Sequence, residues 1–358
     1  MKAIFVIAII ILIFIVIFQI ARTSEFISTL RGEEKTRKQS NKINAYLLLA
    51  FMILGLVAAW YCNKILYPKT LLHIESASEE GKHIDLLLWI NIILTGIVFI
   101  ITHILLFWFA YKYREQDNKK AYYFPHDSRL ELLWTTVPAV VLTVLIVFGL
   151  KFWFKITGDP PKNALVVEIT GKQFAWEVRY PGKDGVLGKK NFKLFNQPAG
   201  NNLGVDFEDP ESWDDIHVAE MHLPVGRPVK LVINSMDVVH DVGLAAFRMK
   251  MDAVPGIPTT MWFTPIHTTE EMRKMTGNPN YLYEISCDQM CGNGHFSMRG
   301  IIVVESEADY NAWLAKQTPE YYSLFPDKNP NNKPAVVAPA TDSSKTSTPI
   351  AAVLPAKP

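Results

Sequence analysis

Tyr281 to Glu305 reads YLYEISCDQMCGNGHFSMRGIIVVE. Its two ends, YLYEIS from Tyr281 and GIIVVE from Gly300, are short runs rich in aromatic, β-branched and aliphatic residues, and the Gly- and Asn-containing middle can continue neither. A strand, a loop loaded with reactive side chains and a second strand are predicted. The same signature occurs upstream in LVVEIT from Leu165, FAWEVRY from Phe174 and VKLVIN from Val229, separated by Gly, Pro and Asn clusters. Several short strands with turn signals predict an all-β sandwich or small barrel of ~150 residues after Asp159-Pro160-Pro161. A single closing helix is expected, with Ser306 as N-cap, Asp309 in its first turn, and Tyr310, Trp313 and Leu314 facing inward. From residue 319 to 358 the chain is rich in Pro, Ala, Ser and Thr, a composition that predicts a disordered tail.

The half before this domain is of another kind. The chain has 358 residues, enough for about two domains. Its mean hydropathy is +0.11 with 20% charged residues, and the apolar excess sits in the first 155 residues. Ala3 to Phe18, Ile43 to Asn63, Leu86 to Tyr111 and Leu132 to Leu150 carry no charge, and each can cross a hydrocarbon layer of ~30 Å. A transmembrane anchor of four helices is predicted. Lys2 followed by an apolar run also describes a signal peptide, but no small-residue cleavage site follows, so an uncleaved helix is expected. The segment 22–42 holds six basic residues and 112–129 holds five, against three in 64–82, so the two rich loops are expected in the cytoplasm and the β-domain outside. Cleavage of the first segment would leave 22–42 on the outer side, against its charge. Trp134, Phe152, Trp153 and Phe154 near the ends of the last span suit the membrane interface. A net charge of +1 gives no case for nucleic acid, and three cysteines in a chain of this length exclude a disulfide-stapled scaffold.

Within twelve residues the central loop offers Cys287, Cys291, His295 and Met298. Met is a poor zinc ligand, whereas Cys, His and Met together suit copper electron-transfer centres on β-sandwiches. Such a centre ordinarily uses one Cys. A second Cys at i+4 allows two thiolates to bridge two coppers, which then need another imidazole. His240 is the best supplier, because the run Val229 to Val239 reads as a strand that would deliver it to the same edge of the sandwich. Sharing the electron over two metals and soft sulfur limits rearrangement and suits a relay. A Cys287–Cys291 disulfide and a zinc site are the competing readings, and His240 read alone would be structural. Cys62 is read as a small buried hydrophobe, and His217, His222 and His267 as ordinary surface or strand histidines.

These residues resemble subunit II of the haem-copper cytochrome c oxidases, which carries a binuclear CuA centre on a cupredoxin domain. The resemblance rests on Asp237-Val238-Val239-His240, on Lys250-Met251-Asp252-Ala253-Val254-Pro255-Gly256, on Cys287 to Met298 and on Glu131-Leu132-Leu133-Trp134-Thr135-Thr136-Val137-Pro138, and covers about residues 84–318. It implies that Cys287 and Cys291 bridge the coppers, with His240, His295 and Met298 as further ligands and the main-chain carbonyl of Gln289 as a weak one. It makes Glu131 the acid at the cytoplasmic mouth of a proton pathway into subunit I, where composition alone would give a carboxylate favoured by the helix dipole. Electron entry would fall on the aromatic strand at Phe174 and Trp176, where the family's Trp-Tyr-Trp is here Phe174-Ala175-Trp176. By itself Trp176 reads equally well as a core aromatic. Gln289 stands where the family has a Glu that helps hold magnesium at the boundary with subunit I, so that ion is expected to be weakly held or absent.

The domain expectation is then residues 1–42 as an extra helix with its cytoplasmic loop, 43–84 as a second extra helix, 85–158 as the transmembrane hairpin usual in subunit II, 159–318 as the cupredoxin domain, and 319–358 as tail. The resemblance implies a multi-pass protein of the bacterial inner membrane with the copper domain on the periplasmic side. It would take electrons from a c-type cytochrome, or a haem c domain of a neighbouring respiratory complex, and pass them to haem in subunit I, with subunits I and III and membrane lipid as partners. Seven acidic residues and no Lys or Arg between Val205 and Glu220 would complement a basic cytochrome, or form a solvated loop. No Cys-x-x-Cys-His occurs, so a fused haem c is excluded. The rivals are a quinol oxidase subunit II, which lacks these ligands, and a membrane-anchored copper-binding or copper-delivery protein.

Overall fold

The computed structural model describes residues 2–117 and 119–330. Four long helices come first: α1 (Lys2–Arg31), α2 (Glu33–Leu66), α3 (Glu79–Lys112) and α4 (Ser128–Thr157). All four are long and apolar enough to cross a membrane. Residues 22–42, expected as a loop, are helical on both sides of a single break. The segment has no Pro, and only Gly32, at φ 87°, leaves the helical region. The later helices begin at side-chain caps: Ser78 accepts from the amide of Gly81, and Asp127 from those of Arg129 and Leu130. At Gly81 a side chain has no room, since a Cβ would lie 2.0 Å from Ser76 Oγ and 2.6 Å from the Phe247 carbonyl oxygen.

Ten strands follow: β1 (Leu165–Lys172), β2 (Ala175–Tyr180), β3 (Ile216–Val218), β4 (Met221–Pro224), β5 (Val229–Ser235), β6 (His240–Leu244), β7 (Met249–Ala253), β8 (Thr259–Phe263), β9 (Tyr283–Cys287) and β10 (Arg299–Glu305). They form two five-stranded sheets, β3-β2-β1-β5-β8 and β4-β10-β9-β6-β7. Each of the five runs picked out in the sequence overlaps one of these strands. The alternating inward residues, among them Val167, Ile169, Leu231, Ile233, Val242, Leu244, Ile285 and Ile302, are fully buried. One charged pair lies among them: Arg179 donates to Glu168 at 2.6 Å, and Asn234 donates to the other Glu168 oxygen at 2.9 Å.

Three readings need correction. The run Val229 to Val239 is not one strand: β5 stops at Ser235, whose hydroxyl closes a turn onto the Val238 carbonyl, and His240 opens β6 in the other sheet. The expected single helix, α6 (Glu307–Leu314), has Ser306 as N-cap and Tyr310 buried, but α5 (Thr269–Thr276) also forms, closed by a reciprocal Thr268–Glu271 capping box. The tail is ordered at its start, where α7 (Glu320–Leu324) buries Tyr321, with Trp213 stacked on that ring at 5.3 Å. The remainder of the expected tail, 331–358, lies outside the described residues. Two compact units result, one comprising Met1–Tyr180 with His217–Lys316, the other Pro181–Ile216 with the chain from Gln317.

Within the first unit, polar contacts tie the β-sandwich to the outer ends of α3 and α4. The buried Glu80 carboxylate accepts from the Thr264 amide at 2.9 Å and from Lys155 Nζ at 3.3 Å, while Trp262 Nε1 donates to the Lys155 carbonyl at 2.7 Å. Arg248 donates to Asp85 at 2.8 Å and to the carbonyls of Leu71 and Ile74. Removing one partner of a buried hydrogen bond costs about 1–3 kcal/mol. Glu80→Ala is therefore expected to destabilise this junction by that amount, read as faster hydrogen exchange at the Thr264 amide with exchange in the centre of β1 unchanged.

Candidate metal centre

Strand order explains why ligand-type side chains separated by some fifty residues meet. β6 runs antiparallel to β9, with Val242 opposite Cys287, so the start of β6 lies beside the end of β9. β9 and β10 are also antiparallel, with Ser286 opposite Arg299, so residues 288–298 are the connection over that same edge. His240 therefore faces Cys287 from the neighbouring strand, and a 3-10 turn at His295–Ser297 folds the loop back over Cys291.

The donor atoms form a chain. His240 Nδ1 is 3.8 Å from Cys287 Sγ, which is 3.7 Å from Cys291 Sγ, and His295 Nδ1 is 3.6 Å from Cys291 Sγ. Met298 Sδ lies 3.8 Å from Cys291 Sγ, and the Gln289 carbonyl oxygen 3.2 Å from Cys287 Sγ. His240, Cys287, Cys291 and Met298 are buried; His295 is half-buried. Among the described residues, His240, Cys287 and Cys291 form the one group of three His, Cys, Asp or Glu side chains close enough to hold an ion. A disulfide needs sulfurs about 2.05 Å apart, and both thiols are free.

This donor set fits a soft metal. Burial, with the Cys287 thiol beside it, pushes the Cys291 thiol up to about 11, so the protein alone leaves it protonated. A coordinated cation is what would deprotonate such a thiol. Two thiols in contact, an imidazole nitrogen beside each, and a thioether and a carbonyl at the flanks suit copper, and the thioether speaks against zinc.

A supporting layer holds these groups, and the sequence reading had missed it. Asp237 Oδ1 accepts from His240 Nε2 at 2.8 Å, which fixes the proton on Nε2 and turns the Nδ1 lone pair toward sulfur. Burial works against the Asp237 carboxylate, but the Gln173 amide, His240 and the Val238 amide outweigh it and hold its pKa below the usual range. Gln173 is a brace between two segments: its backbone N–H donates to Asp237 at 2.7 Å and its side-chain amide to the Cys291 carbonyl at 2.6 Å. The Phe174 ring lies over the loop so closely that a Cβ at Gly294 would fall 2.5 Å from it. Trp176 is buried and meets His240 in an edge-type contact, ring centroids 6.0 Å apart and planes at 65°.

The other residues singled out lie elsewhere. Glu131 sits in the first turn of α4, half-exposed, 3.7 Å from His126. From Glu131 to the far end of α4 is about 39 Å at 1.5 Å per residue. In the acidic stretch, Asp209 accepts from the Lys189 amide, Asp214 from those of Lys183 and Asp184, and Asp215 from that of Gly188. Those carboxylates organise their own loops, which favours the structural reading over a docking surface. His217 pairs with Glu177 at 2.7 Å and His222 with Glu305 at 2.9 Å, as structural histidines do. Cys62 is exposed on α2, not buried as expected, because none of the described residues covers it.

Comparison with known proteins finds related sequences for both halves of the chain. Residues 71–152 match the family described as cytochrome c oxidase subunit II, transmembrane domain, and residues 165–307 match its periplasmic domain. The match thus begins at residue 71, somewhat before the 84 expected. An alternative cytochrome c oxidase subunit 2 of Bradyrhizobium diazoefficiens is 34% identical over 236 residues, 65% of this chain and 78% of that one. Cytochrome c oxidase subunit 2 of Cereibacter sphaeroides is 27% identical over 259 residues, 70% of this chain and 80% of that one. Among solved structures, the periplasmic domain of subunit II of cytochrome oxidase from Bradyrhizobium japonicum is 27% identical, covers 43% of this chain and 94% of its own, and has a TM-score of 0.29.

Outer-layer partners of metal-ligating histidines are typically worth about 10–100-fold in metal affinity. Asp237→Ala should lower copper affinity by that range while the β-domain stays folded, as followed by titration with a competing chelator alongside circular dichroism.

Proposed function

The chain belongs to the cytochrome c oxidase subunit II family, and from that premise we propose that it is the electron-entry subunit of its oxidase, with His240, Cys287, Cys291, His295, Met298 and the Gln289 carbonyl holding two coppers. It is a membrane-anchored component of a haem-copper oxidase, with its β-domain on the periplasmic side. The observation that carries the proposal is the contact of two buried thiols, each with an imidazole nitrogen within 4 Å. The chemistry a bound copper pair supplies is one-electron transfer, here between a c-type cytochrome, or a haem c domain of a neighbouring complex, and haem in subunit I, where oxygen is reduced with proton translocation.

The chain's own residues supply rigidity and orientation. Asp237 fixes the His240 tautomer, Gln173 ties the Cys291 backbone to the β1–β2 turn that carries Phe174, and the Phe174 ring covers Gly292 and Gly294. Ligands held this firmly in a largely buried site change little when the charge changes, which is what a relay requires. Phe174, 38% exposed in the turn between β1 and β2, is the aromatic side chain there open to a docked donor, and the buried Trp176 of β2 packs against His240. Glu131 is proposed as the proton-pathway acid at the cytoplasmic end of α4, in contact with subunit I. The neutral Gln289 amide is a poor substitute for a carboxylate toward magnesium, so that ion is left out of the proposal. Subunits I and III are the expected partners in the membrane.

Metal analysis of the purified complex should find two coppers on this chain and a purple binuclear spectrum. Cys291→Ser should abolish that spectrum, and a blue spectrum with one copper in the unmodified protein would refute the binuclear assignment. Glu131→Ala should slow oxygen turnover about tenfold, a barrier change near 1.4 kcal/mol, while reduction of the copper centre stays fast in stopped-flow measurements. Unchanged turnover would return Glu131 to a helix-end carboxylate.

A further inference from the structure

The part of the chain before residue 71, where the family match begins, holds a crevice of about 470 Å³ between α1 and α2. Its α1 wall is one stripe at helical spacing, and its chemistry changes along it: mostly apolar at one end (Ile15, Val16 and Ile20, with Gln19 among them), then Thr23, Ser24 and Ile27, then Arg31. Thr36 and Ser40 of α2 face it near the Arg31 end. The run from Ile15 to Arg31 spans about 24 Å at 1.5 Å per residue, from apolar depth to the cytoplasmic surface. That gradient has the polarity of a lipid molecule.

Charge decides which lipid. Arg22, Arg37 and Lys38 each pair with an acid, namely Glu25, Glu115, and Glu34 with Asp117. Arg31 donates only to the neutral Gln39 at 3.3 Å, and no carboxylate lies within 4 Å of it among the described residues. Beside it Thr36 Oγ1 is buried with no hydrogen-bond partner among the described residues. A second crevice of about 720 Å³ that shares Thr36 is lined by Glu25, Glu33 and Glu34 together with Arg37, itself paired to Glu115, so its balance of charge disfavours anions. An uncompensated guanidinium and a hydroxyl without a partner, at the end of an apolar groove on the cytoplasmic side, match a phosphate headgroup.

We propose that the α1–α2 crevice binds an anionic phospholipid of the cytoplasmic leaflet, with acyl chain along Ile15, Val16 and Ile20 and phosphate on Arg31 and Thr36. The test uses the whole oxidase complex, delipidated by detergent washing and titrated with phosphatidylglycerol or phosphatidylcholine, with retained lipid counted by native mass spectrometry. Unmodified complex should retain phosphatidylglycerol in preference to phosphatidylcholine. Arg31→Gln should weaken phosphatidylglycerol retention about fivefold, the effect of one cation at a membrane surface, and leave phosphatidylcholine unchanged. Ile20→Trp, which fills the apolar end and keeps Arg31, should lower retention of phosphatidylglycerol, and Arg22→Gln, outside the crevice, should not. Equal retention of the two lipids, unchanged retention in both crevice variants, or a photocrosslinker at position 20 that captures a partner subunit instead of lipid would overturn the proposal.

Discussion

The antiparallel pairing of β6 with β9 is the constraint on which the candidate centre depends. With Val242 opposite Cys287, His240 lies two residues earlier in β6 on the same face, diagonally across from Cys287, and its Nδ1 comes within 3.8 Å of the thiol without a loop to carry it. Side chains alternate faces along a strand, so a slip of one residue would turn His240 away from sulfur. Gly171 leaves that ring its room, since a Cβ there would sit 3.0 Å from both the His240 and Trp176 rings. The histidine is thus held by register from one side, by close packing from another, and by Asp237 at its far nitrogen.

The same fold gives the centre a fixed mount. Residues 76–80 pass between two segments of the β-domain, with the Ala77 amide bonded to the Ala246 carbonyl, the Ile266 amide to the Ala77 carbonyl, and the Glu79 amide to the Thr264 carbonyl. Ser78 caps α3 and also donates to the Phe247 carbonyl at 2.6 Å, so the residue that starts the membrane helix is bound to the sandwich. A carboxylate as deeply buried as Glu80 is tolerable because it is shared between an amide and an ammonium. Such a junction lets the β-domain and the outer helix ends move as one body, which a relay working over a fixed distance needs.

Much of this was legible in the sequence, unevenly. The apolar runs announced four helices because a membrane span is a matter of length and composition, and the β-rich runs announced strands because side chains buried between two sheets must be apolar. The loop ligands were legible because they lie within twelve residues. Gln173 and Asp237 were not, because their roles rest on contacts 64 and 118 residues apart in the chain. β6, β7 and β8 escaped notice because Asp, Gly, Lys and Thr interrupt their apolar pattern, although all three pair in register. For α5 a signal was present: Thr268 and Glu271 stand at capping-box spacing, but the helix buries only Thr269 and Met272, too few for an apolar period.

The two functions proposed for the chain lie at opposite ends of α4. Glu131 is in its first turn, and the β-domain that carries the thiols is fastened at its last, where Trp262 bonds the Lys155 carbonyl. Between them α4 is an almost unbroken apolar surface, with Thr143 bonding back to its own helix at Ala139. A proton cannot be handed along such a face, so a proton entering at Glu131 has to leave this chain at once. On the roles proposed for the two ends of α4, electron and proton would then be coupled outside this chain. The chain's proposed contribution is to hold its two entry points toward opposite ends of a helical stretch of about 39 Å, one on the helix itself and the other on the β-domain fastened to its far end.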